Sequence, residues 1–502
     1  MSFHPDEDNF LWNLVRVREE NLDFAVTDFH WGTLQFHLIT LALLMAQVLD
    51  VVSTPWRESF VGSHPVEYTR IFVAGRLVSA ILGSCSVLVA YGIGKRLHGA
   101  QVGLVSALIL ALLPLHVVKS HDLTADITMA FLVLVTLWRL LIAMKQPTVS
   151  NHLWAGLAGG LAVAAKYSAV FLLPAVVLTH LVEPSVGWRR KVVFYVGVML
   201  GFFLGEPYAF FHRQQFWKSV EPYLQSGTLP DWAMPSPAAL LGVQAMGLAI
   251  FGLGIPLTLV LLSAGARVLL PYLPSKRPLA VLSGSQSDSA TGRRFEATLS
   301  NLLFLAGAFF ACSILVLRQP MLRYTLPLAV LLVFPAASSL WKMSTGRAGR
   351  VLAVAAVCLT GMLTILQVRV FVQPHPANQA FDWVLRHVPR GASIQKGWPG
   401  LPPLSPKKFR ITHFSYRPLT PEFPEYFVDG TGRARFPDYV MLDNLPTVAM
   451  PAVFYDELRQ NYDLVAEFRQ PPRLWKFELA EWNAPHDWKY SHPEIRVYRR
   501  KQ

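Results

Sequence analysis

Long apolar segments recur along the chain, and they constrain its fold more than any other feature. A helix needs roughly 20 mostly apolar residues to cross a bilayer, and fewer where neighbouring helices shelter its ends. Such segments are predicted at 71–94, 101–118, 124–144, 152–166, 167–183, 191–206, 238–264, 298–317, 324–341 and 350–372. Charged residues are only 15% of the chain, against about a quarter in soluble domains. The sequence therefore predicts a mainly α, polytopic membrane protein with about ten transmembrane helices.

Three apolar segments have a second interpretation. The segments 152–166 and 167–183 could form one long tilted helix, although Lys166 between them favours two short ones. The segment 34–52 is interrupted by polar residues, which favours an amphipathic helix lying at the interface. A spanning helix there would move the amino terminus to the cytoplasm. The interrupting residues are Gln35, His37, Gln47 and Asp50.

Basic residues in the loops predict the orientation. They are concentrated in connections that fall on alternate turns, and the positive-inside rule places those connections in the cytoplasm. These connections contain Lys95-Arg96, Arg189-Arg190-Lys191, Lys276-Arg277 with Arg293-Arg294, and Lys342 with Arg347 and Arg350. Residues 70 and 373 then both lie on the outer side. The net charge of +13 is thus interpreted as an orientation signal, and no nucleic-acid partner is expected.

Three regions follow from this pattern. Residues 1–70 are predicted to be a first extracytoplasmic loop with an acidic motif and an interfacial helix, and residues 71–372 a transmembrane domain. Residues 373–502 are less apolar and are predicted to form a soluble extracytoplasmic α/β domain. Its predicted elements are helices at 377–387 and 455–461 and strands at 392–396, 438–442 and 495–498.

Carboxylates at two places are candidates for chemistry. The first is the run His4-Pro5-Asp6-Glu7, where a carboxylate on the outer side could act as general base toward a hydroxyl group; a solvated acidic cluster is the alternative. The second is Asp126, at the outer mouth of the span 124–144. Ionisable groups at such positions are costly and are usually functional or paired, and a helix N-cap is the competing explanation.

Cations are predicted at the same outer face. Arg76 lies a few residues into the first span, Lys166 lies between two short spans, and Arg323-Tyr324 opens a later span. Each cation alone could extend to lipid headgroups. Together they predict a basic pocket that faces carboxylates and suits a lipid phosphate, because arginine can bind phosphate through two parallel hydrogen bonds.

Other signatures are missing from the sequence. It contains no glycine-rich phosphate loop, no G-x-S-x-G motif and no Cys/His metal spacing, so no metal ligand is assigned. Gly156, Gly159 and Gly160 are predicted to be helix-packing glycines.

These residues resemble glycosyltransferase family 39, a group of C-type membrane glycosyltransferases that includes the protein O-mannosyltransferases and the bacterial aminoarabinose transferase. The matching segments occur in order over most of the chain. They are His4-Pro5-Asp6-Glu7, Gly75 to Ala80, Tyr91 to Leu97, Ala125-Asp126-Ile127, Ala155 to Tyr167, Glu206-Pro207-Tyr208, Arg323 to Leu328, and Asp487 to Tyr498. Family members have a transmembrane helix before the acidic motif, whereas this sequence starts a few residues ahead of it.

The resemblance implies a C-type membrane fold and a set of site residues. Asp6 and Glu7 correspond to the catalytic acidic pair, with Asp6 as the base. The resemblance implies Asp126, Lys166, Arg323 and Tyr324 as substrate-binding residues. Arg76, His4 and His121 are further predicted substrate-binding residues.

The implied reaction is transfer of a sugar from a polyprenyl-phosphate donor to an acceptor hydroxyl, with inversion, at the outer face of the bacterial cytoplasmic membrane. The resemblance does not specify the sugar, whether the acceptor is a lipid, a protein or a glycan, or whether a divalent metal ion is needed. The alternative function is a transporter or flippase of lipid-linked sugar. A transporter is expected to place its polar residues near the midplane and often to show repeats, whereas here they gather at one face.

Overall fold

The structure is a computed structural model of the 502-residue chain. It describes residues 7, 31–52, 65–173, 177, 187–225, 236–269, 321–397, 404, 408–414, 426–427, 436–445, 450–481 and 484–501. The chain divides into two compact units. The first contains Asp23–Met45 and Ala74–Thr364, and the second contains Met1–Leu22, Ala46–Val73 and Ile365–Gln502.

The first unit is helical, and some of its helices continue into the second. The helices up to residue 145 are α1 (Leu34–Val48), α2 (Pro65–His98), α3 (Ala100–Ala111), α4 (Pro114–Lys119) and α5 (Ala125–Lys145). They are followed by α6 (Val149–Ala165), α7 (Trp188–Gly205), α8 (Tyr208–Phe211), α9 (Arg213–Gln225), α10 (Pro237–Gly247), α11 (Ile255–Leu269), α12 (Leu326–Met343) and α13 (Arg347–Phe371). Short 3₁₀ turns cover Tyr167–Leu172 and Leu322–Thr325.

The membrane-spanning prediction is confirmed in its coarser form. In the described part of the chain, four helical stretches are long and apolar enough to span a bilayer: Thr69–His98, Ala125–Lys145, Leu322–Met343 and Arg347–His387. A fifth span results if the pair Ala238–Gly252 and Ile255–Ala266, bent by 117°, is counted as one. The protein is therefore a mainly helical integral membrane protein, and the number of ten spans is not confirmed.

One of the predicted spans differs in form from the prediction, and for another the structure decides between the two interpretations. The segment 101–118 is divided between α3 and α4, because Pro114 lacks the amide hydrogen that would continue the first helix. The helix α6 ends at Ala165, and Lys166 has extended backbone angles of φ −155° and ψ 123°. The single long tilted helix across Lys166 is thus excluded. The predicted span 298–317 lies outside the described residues.

Glycines bring α6 and α7 into close contact. A Cβ atom added at Gly156 would lie 2.0 Å from the carbonyl oxygen of Phe194, and one at Gly160 would lie 2.0 Å from that of Val198. A Cβ atom added at Gly201 on the opposite helix would lie 2.2 Å from the carbonyl oxygen of Leu157 in α6. Close backbone approach through small residues is the usual way in which helices associate in lipid. The helix-packing prediction is confirmed for Gly156 and Gly160.

The helix α1 buries one face, which contains Gln35, Phe36, Ile39, Thr40 and Leu43. It has 15 residues, fewer than the roughly 20 that a span needs. Its interfacial position stays a prediction.

The second unit contains a five-stranded mixed sheet, in the order β2-β1-β3-β7-β4. Its strands are β1 (Ser393–Lys396), β2 (Arg410–His413), β3 (Tyr439–Asp443), β4 (Tyr462–Phe468) and β7 (Ile495–Arg500), while β5 (Arg473–Leu474) and β6 (Phe477–Glu478) form a separate hairpin. Strand β1 is parallel to β2 and β3, and β7 is antiparallel to β3 and β4.

Helices pack on both faces of this sheet. Successive side chains of a strand point to opposite faces, so Met441 joins a cluster with α14 (Pro376–His387) while Val440 joins the aromatic cluster around α15 (Ala452–Asn461). The predicted helices and strands of residues 373–502 are found within a few residues of their expected bounds. The extracytoplasmic position of this α/β region stays a prediction.

A buried polar cluster lies near the end of this unit. The Glu481 Oε1 atom accepts hydrogen bonds from Trp488 Nε1 and His492 Nε2, both at 2.8 Å. Burial raises the pKa of the Glu481 carboxyl. The charge and the hydrogen bond of His492 lower it by more than burial raises it, so the pKa lies below its usual range.

Candidate functional site

A buried ion pair joins the first turn of α5 to the end of α6. The Nζ atom of Lys166 lies 2.5 Å from Oδ1 of Asp126, and the two side chains are 9% and 2% exposed. Thr124 occupies the N-cap position of α5. Asp126 is therefore paired with a cation rather than capping the helix, and the pair depends on the break in the backbone that follows Ala165.

Arg323 and Tyr324 lie at the same place. The ring centroid of Tyr324 is 5.0 Å from Lys166 Nζ and 5.5 Å from the guanidinium carbon of Arg323. Both distances are within the range of attraction between a cation and an aromatic face. The positive charges of Lys166, Arg323 and Lys119 all interact with Asp126. Four of the predicted substrate-binding residues, Asp126, Lys166, Arg323 and Tyr324, are thus brought together.

A second buried pair adjoins this cluster and was missed in the sequence. Lys119 Nζ lies 2.8 Å from Asp122 Oδ2, and each side chain is 3% exposed. The signal was a lysine and an aspartate three residues apart in the predicted outer loop. The cluster contains three cations (Lys119, Lys166 and Arg323) against two carboxylates (Asp122 and Asp126), so its net charge is +1. Such a surplus favours a bound anion.

The other predicted residues have different positions. Arg76 lies in α2 and is half-buried, and His121 lies between α4 and α5 with Nδ1 2.8 Å from the carbonyl oxygen of Val117. Glu7 is fully buried and belongs to the second unit, where its charge interacts with His375. His4 and Asp6 lie outside the described residues. The catalytic roles of Asp6 and Glu7 stay predictions.

A polar group around Glu206 was also not assigned a role from the sequence. Its Oε2 atom accepts hydrogen bonds from the backbone amide of Thr33 at 2.6 Å and from the Tyr167 hydroxyl at 3.3 Å. Thr33 immediately precedes α1, whose first amides have no partner within the helix. A carboxylate is favoured there because the helix dipole is positive at that end. The available signal was an acidic residue at the last position of the predicted span 191–206.

Gln35, in the first turn of α1, makes a further contact with α5. Its Oε1 atom accepts a hydrogen bond from the hydroxyl of Thr128, two residues after Asp126. Gly32 packs so closely on α6 that an added Cβ atom would lie 1.9 Å from the carbonyl oxygen of Ala164. The start of α1 is therefore held beside both Lys166-Tyr167 and the first turn of α5.

An apolar cavity of about 50 Å³ lies among α5, α6, α7 and the turn after Lys166, and its lining includes Val133, Ala162, Ala169, Leu172 and Phe194. Within the residues that the structure describes, no group of three or more His, Cys, Asp or Glu side chains is arranged to hold a metal ion.

Solved structures with weak overall similarity were found. The oligosaccharyltransferase of Archaeoglobus fulgidus, in complex with Zn and sulfate, is 14% identical with a TM-score of 0.47; the match covers 79% of this chain and 56% of that one. ArnT of Cupriavidus metallidurans, bound to undecaprenyl phosphate, is 13% identical with a TM-score of 0.47, over 99% of this chain and 95% of that one. The present chain thus spans little more than half of the oligosaccharyltransferase. No curated protein matches.

One family model matches the sequence. Its description is dolichyl-phosphate-mannose-protein mannosyltransferase, and the matched residues are 70–211. This range contains Asp126, Lys166 and Glu206. The glycosyltransferase resemblance predicted from the sequence is therefore confirmed, and residues 70–211 carry the pattern of the dolichyl-phosphate-mannose-protein mannosyltransferase family.

Proposed function

We propose that this protein is a membrane glycosyltransferase that transfers a sugar from a polyprenyl-phosphate donor to an acceptor hydroxyl. The observation that carries the proposal is the buried cluster of Lys166, Arg323, Tyr324 and Asp126 with its surplus positive charge. The family match over residues 70–211 supports the same reaction class.

The cluster has the donors that a phosphate needs. An ammonium group carries three N–H donors, so Lys166 can keep its bond to Asp126 and still donate to a phosphate oxygen. The guanidinium of Arg323 can donate two parallel hydrogen bonds to a phosphate. Asp126 offsets part of the positive charge of the cluster and holds Lys166 in position. The apolar cavity beyond Lys166 suits part of a lipid chain.

In the proposed step, the acceptor oxygen attacks the anomeric carbon while the bond from that carbon to the phosphate oxygen breaks. The electrons of that bond leave with the lipid phosphate, and the configuration at the carbon inverts once. Lys166 and Arg323 stabilise the charge that develops on the departing phosphate, the kind of interaction that usually contributes most to catalysis. The family resemblance implies Asp6, with Glu7 next to it in the sequence, as the base that takes the acceptor proton, and the reaction is proposed for the outer face. The acceptor is a lipid, a protein or a glycan.

Transfer of labelled sugar by the purified full chain in lipid nanodiscs tests the proposal. We expect Arg323→Ala to raise the KM for the donor by about 10- to 100-fold, because hydrogen bonds to charged groups contribute about 1.5–3 kcal/mol. Arg347→Ala is the matched control, since Arg347 is exposed at the start of α13. An unchanged KM in Arg323→Ala would contradict the phosphate site. Movement of the sugar lipid between leaflets without any transferred product would favour the transporter.

A further inference from the structure

Two fully buried side chains near the candidate site each leave one polar atom without a partner. Glu206 and Gln35 are both 0% exposed. Among the described residues, Oε1 of Glu206 and Nε2 of Gln35 have no hydrogen-bond partner. An unsatisfied buried polar atom costs about 1–3 kcal/mol, and most such atoms in proteins are paired with protein or water. Glu206 is hydrogen-bonded to the residue that precedes α1, and Gln35 lies in the first turn of α1. Two such atoms at one end of the same helix therefore indicate a place that a ligand or water fills.

The contacts of these two residues place them at the same end of α1. Glu206 binds the amide of Thr33 through Oε2, and Gln35 lies two residues further along and accepts from Thr128 through Oε1. Tyr167, which also bonds to Glu206 Oε2, directly follows Lys166. The two unpartnered atoms therefore belong to residues that are tied to the immediate neighbours of the Lys166–Asp126 pair.

The chemistry of the two atoms selects a hydroxyl group. A carboxylate oxygen accepts a hydrogen bond and an amide nitrogen donates one, and a hydroxyl group can do both. A phosphate is disfavoured next to the carboxylate of Glu206. We propose that Glu206 and Gln35 form a subsite that binds a hydroxyl of the donor sugar, beside the cations that bind its phosphate. This proposal rests on the proposed function.

Equilibrium binding of two lipids to the full chain in nanodiscs tests the subsite. One lipid is bare undecaprenyl phosphate, and the other is the polyprenyl-phosphate sugar that the wild type transfers. We expect the wild type to bind the sugar lipid more tightly than the bare phosphate. Glu206→Gln and Gln35→Met should each reduce this preference by about fivefold to twentyfold, with no change in the Kd for bare undecaprenyl phosphate. Ser168→Ala, a buried neighbour whose hydroxyl contacts Met129, should keep the full preference.

Each outcome has a separate meaning. An unchanged preference in both variants overturns the subsite and assigns the space to water alone. Retained binding of bare undecaprenyl phosphate shows that a variant is folded. If Glu206→Gln does not bind this lipid, the preference measured for Gln35→Met alone decides whether the subsite exists. If the wild type transfers no sugar and binds neither lipid, the proposed function itself is wrong.

Discussion

The buried pair of Lys166 and Asp126 makes a prediction that separates stability from catalysis. The two side chains are 9% and 2% exposed, so neither charge is well solvated. Removing one partner of such a pair typically costs about 3–5 kcal/mol, because the other charge stays buried without compensation. We expect Asp126→Asn and Lys166→Met each to lower the free energy of unfolding by an amount in this range.

The double variant should behave differently for the two properties. The free energy of unfolding of the double variant should be at least about 2 kcal/mol higher than the value obtained by adding the losses of the two single variants. Sugar transfer should stay as low as in Lys166→Met alone, since the double variant still lacks the ammonium group that would bind the phosphate. Stability would therefore recover while activity would not.

Denaturant unfolding in mixed micelles measures the stability of the four proteins in this cycle, and transfer from the polyprenyl-phosphate donor measures activity. A coupling free energy below about 1 kcal/mol would refute the argument that the pair is a strong buried interaction. Recovery of transfer in the double variant would refute the role of Lys166 in phosphate binding and leave the pair with a structural role.

Two further predictions concern other parts of the chain. Gly160→Ala should destabilise the protein by about 1–3 kcal/mol, because its Cβ would lie 2.0 Å from a backbone oxygen of α7. Gly159→Ala should be tolerated, because its Cβ would lie 3.5 Å from a side chain on α5. Equal losses in the free energy of unfolding for the two variants would contradict the packing argument. The depressed pKa of Glu481 means that its bond to His492 stabilises the fold above the unfolded pKa of about 4.3 and is lost as pH falls through the folded pKa. Unfolding measured from about pH 6 to about pH 3 should therefore show a smaller acid-dependent loss in Glu481→Gln than in the wild type; parallel curves would count against this linkage.

Local patterns in the sequence predicted much of the helical fold. Sustained hydropathy predicted α5, α12 and α13, and small-residue spacing predicted that the glycines of α6 pack against another helix, without indicating which one. The grouping of Asp126, Lys166 and Arg323 followed from the orientation rule, because all three fall on the same predicted face. These features depend on residues near one another in the sequence or on a property of whole loops.

The group around Glu206 could not be predicted in the same way. Its bond to Thr33 joins residues 173 positions apart, and no charge of opposite sign marks Thr33 as a partner. The bond depends on where α1 packs, and the sequence left open whether the segment 34–52 spans the membrane. The shorter of the two hydrogen bonds to the Glu206 carboxylate comes from a backbone amide, and amides have no sequence signature.

The separation of these partners along the chain has a consequence for biosynthesis. Thr33 can form its hydrogen bond to Glu206 only after residue 206 has been synthesised, and Lys166 can contact Tyr324 only after residue 324 has been synthesised. Asp126 is synthesised 40 residues before the lysine that it binds, so its carboxylate lacks this partner when α5 enters the bilayer. A nascent chain arrested before residue 166 should therefore hold α5 less firmly in the membrane than a chain arrested just after it.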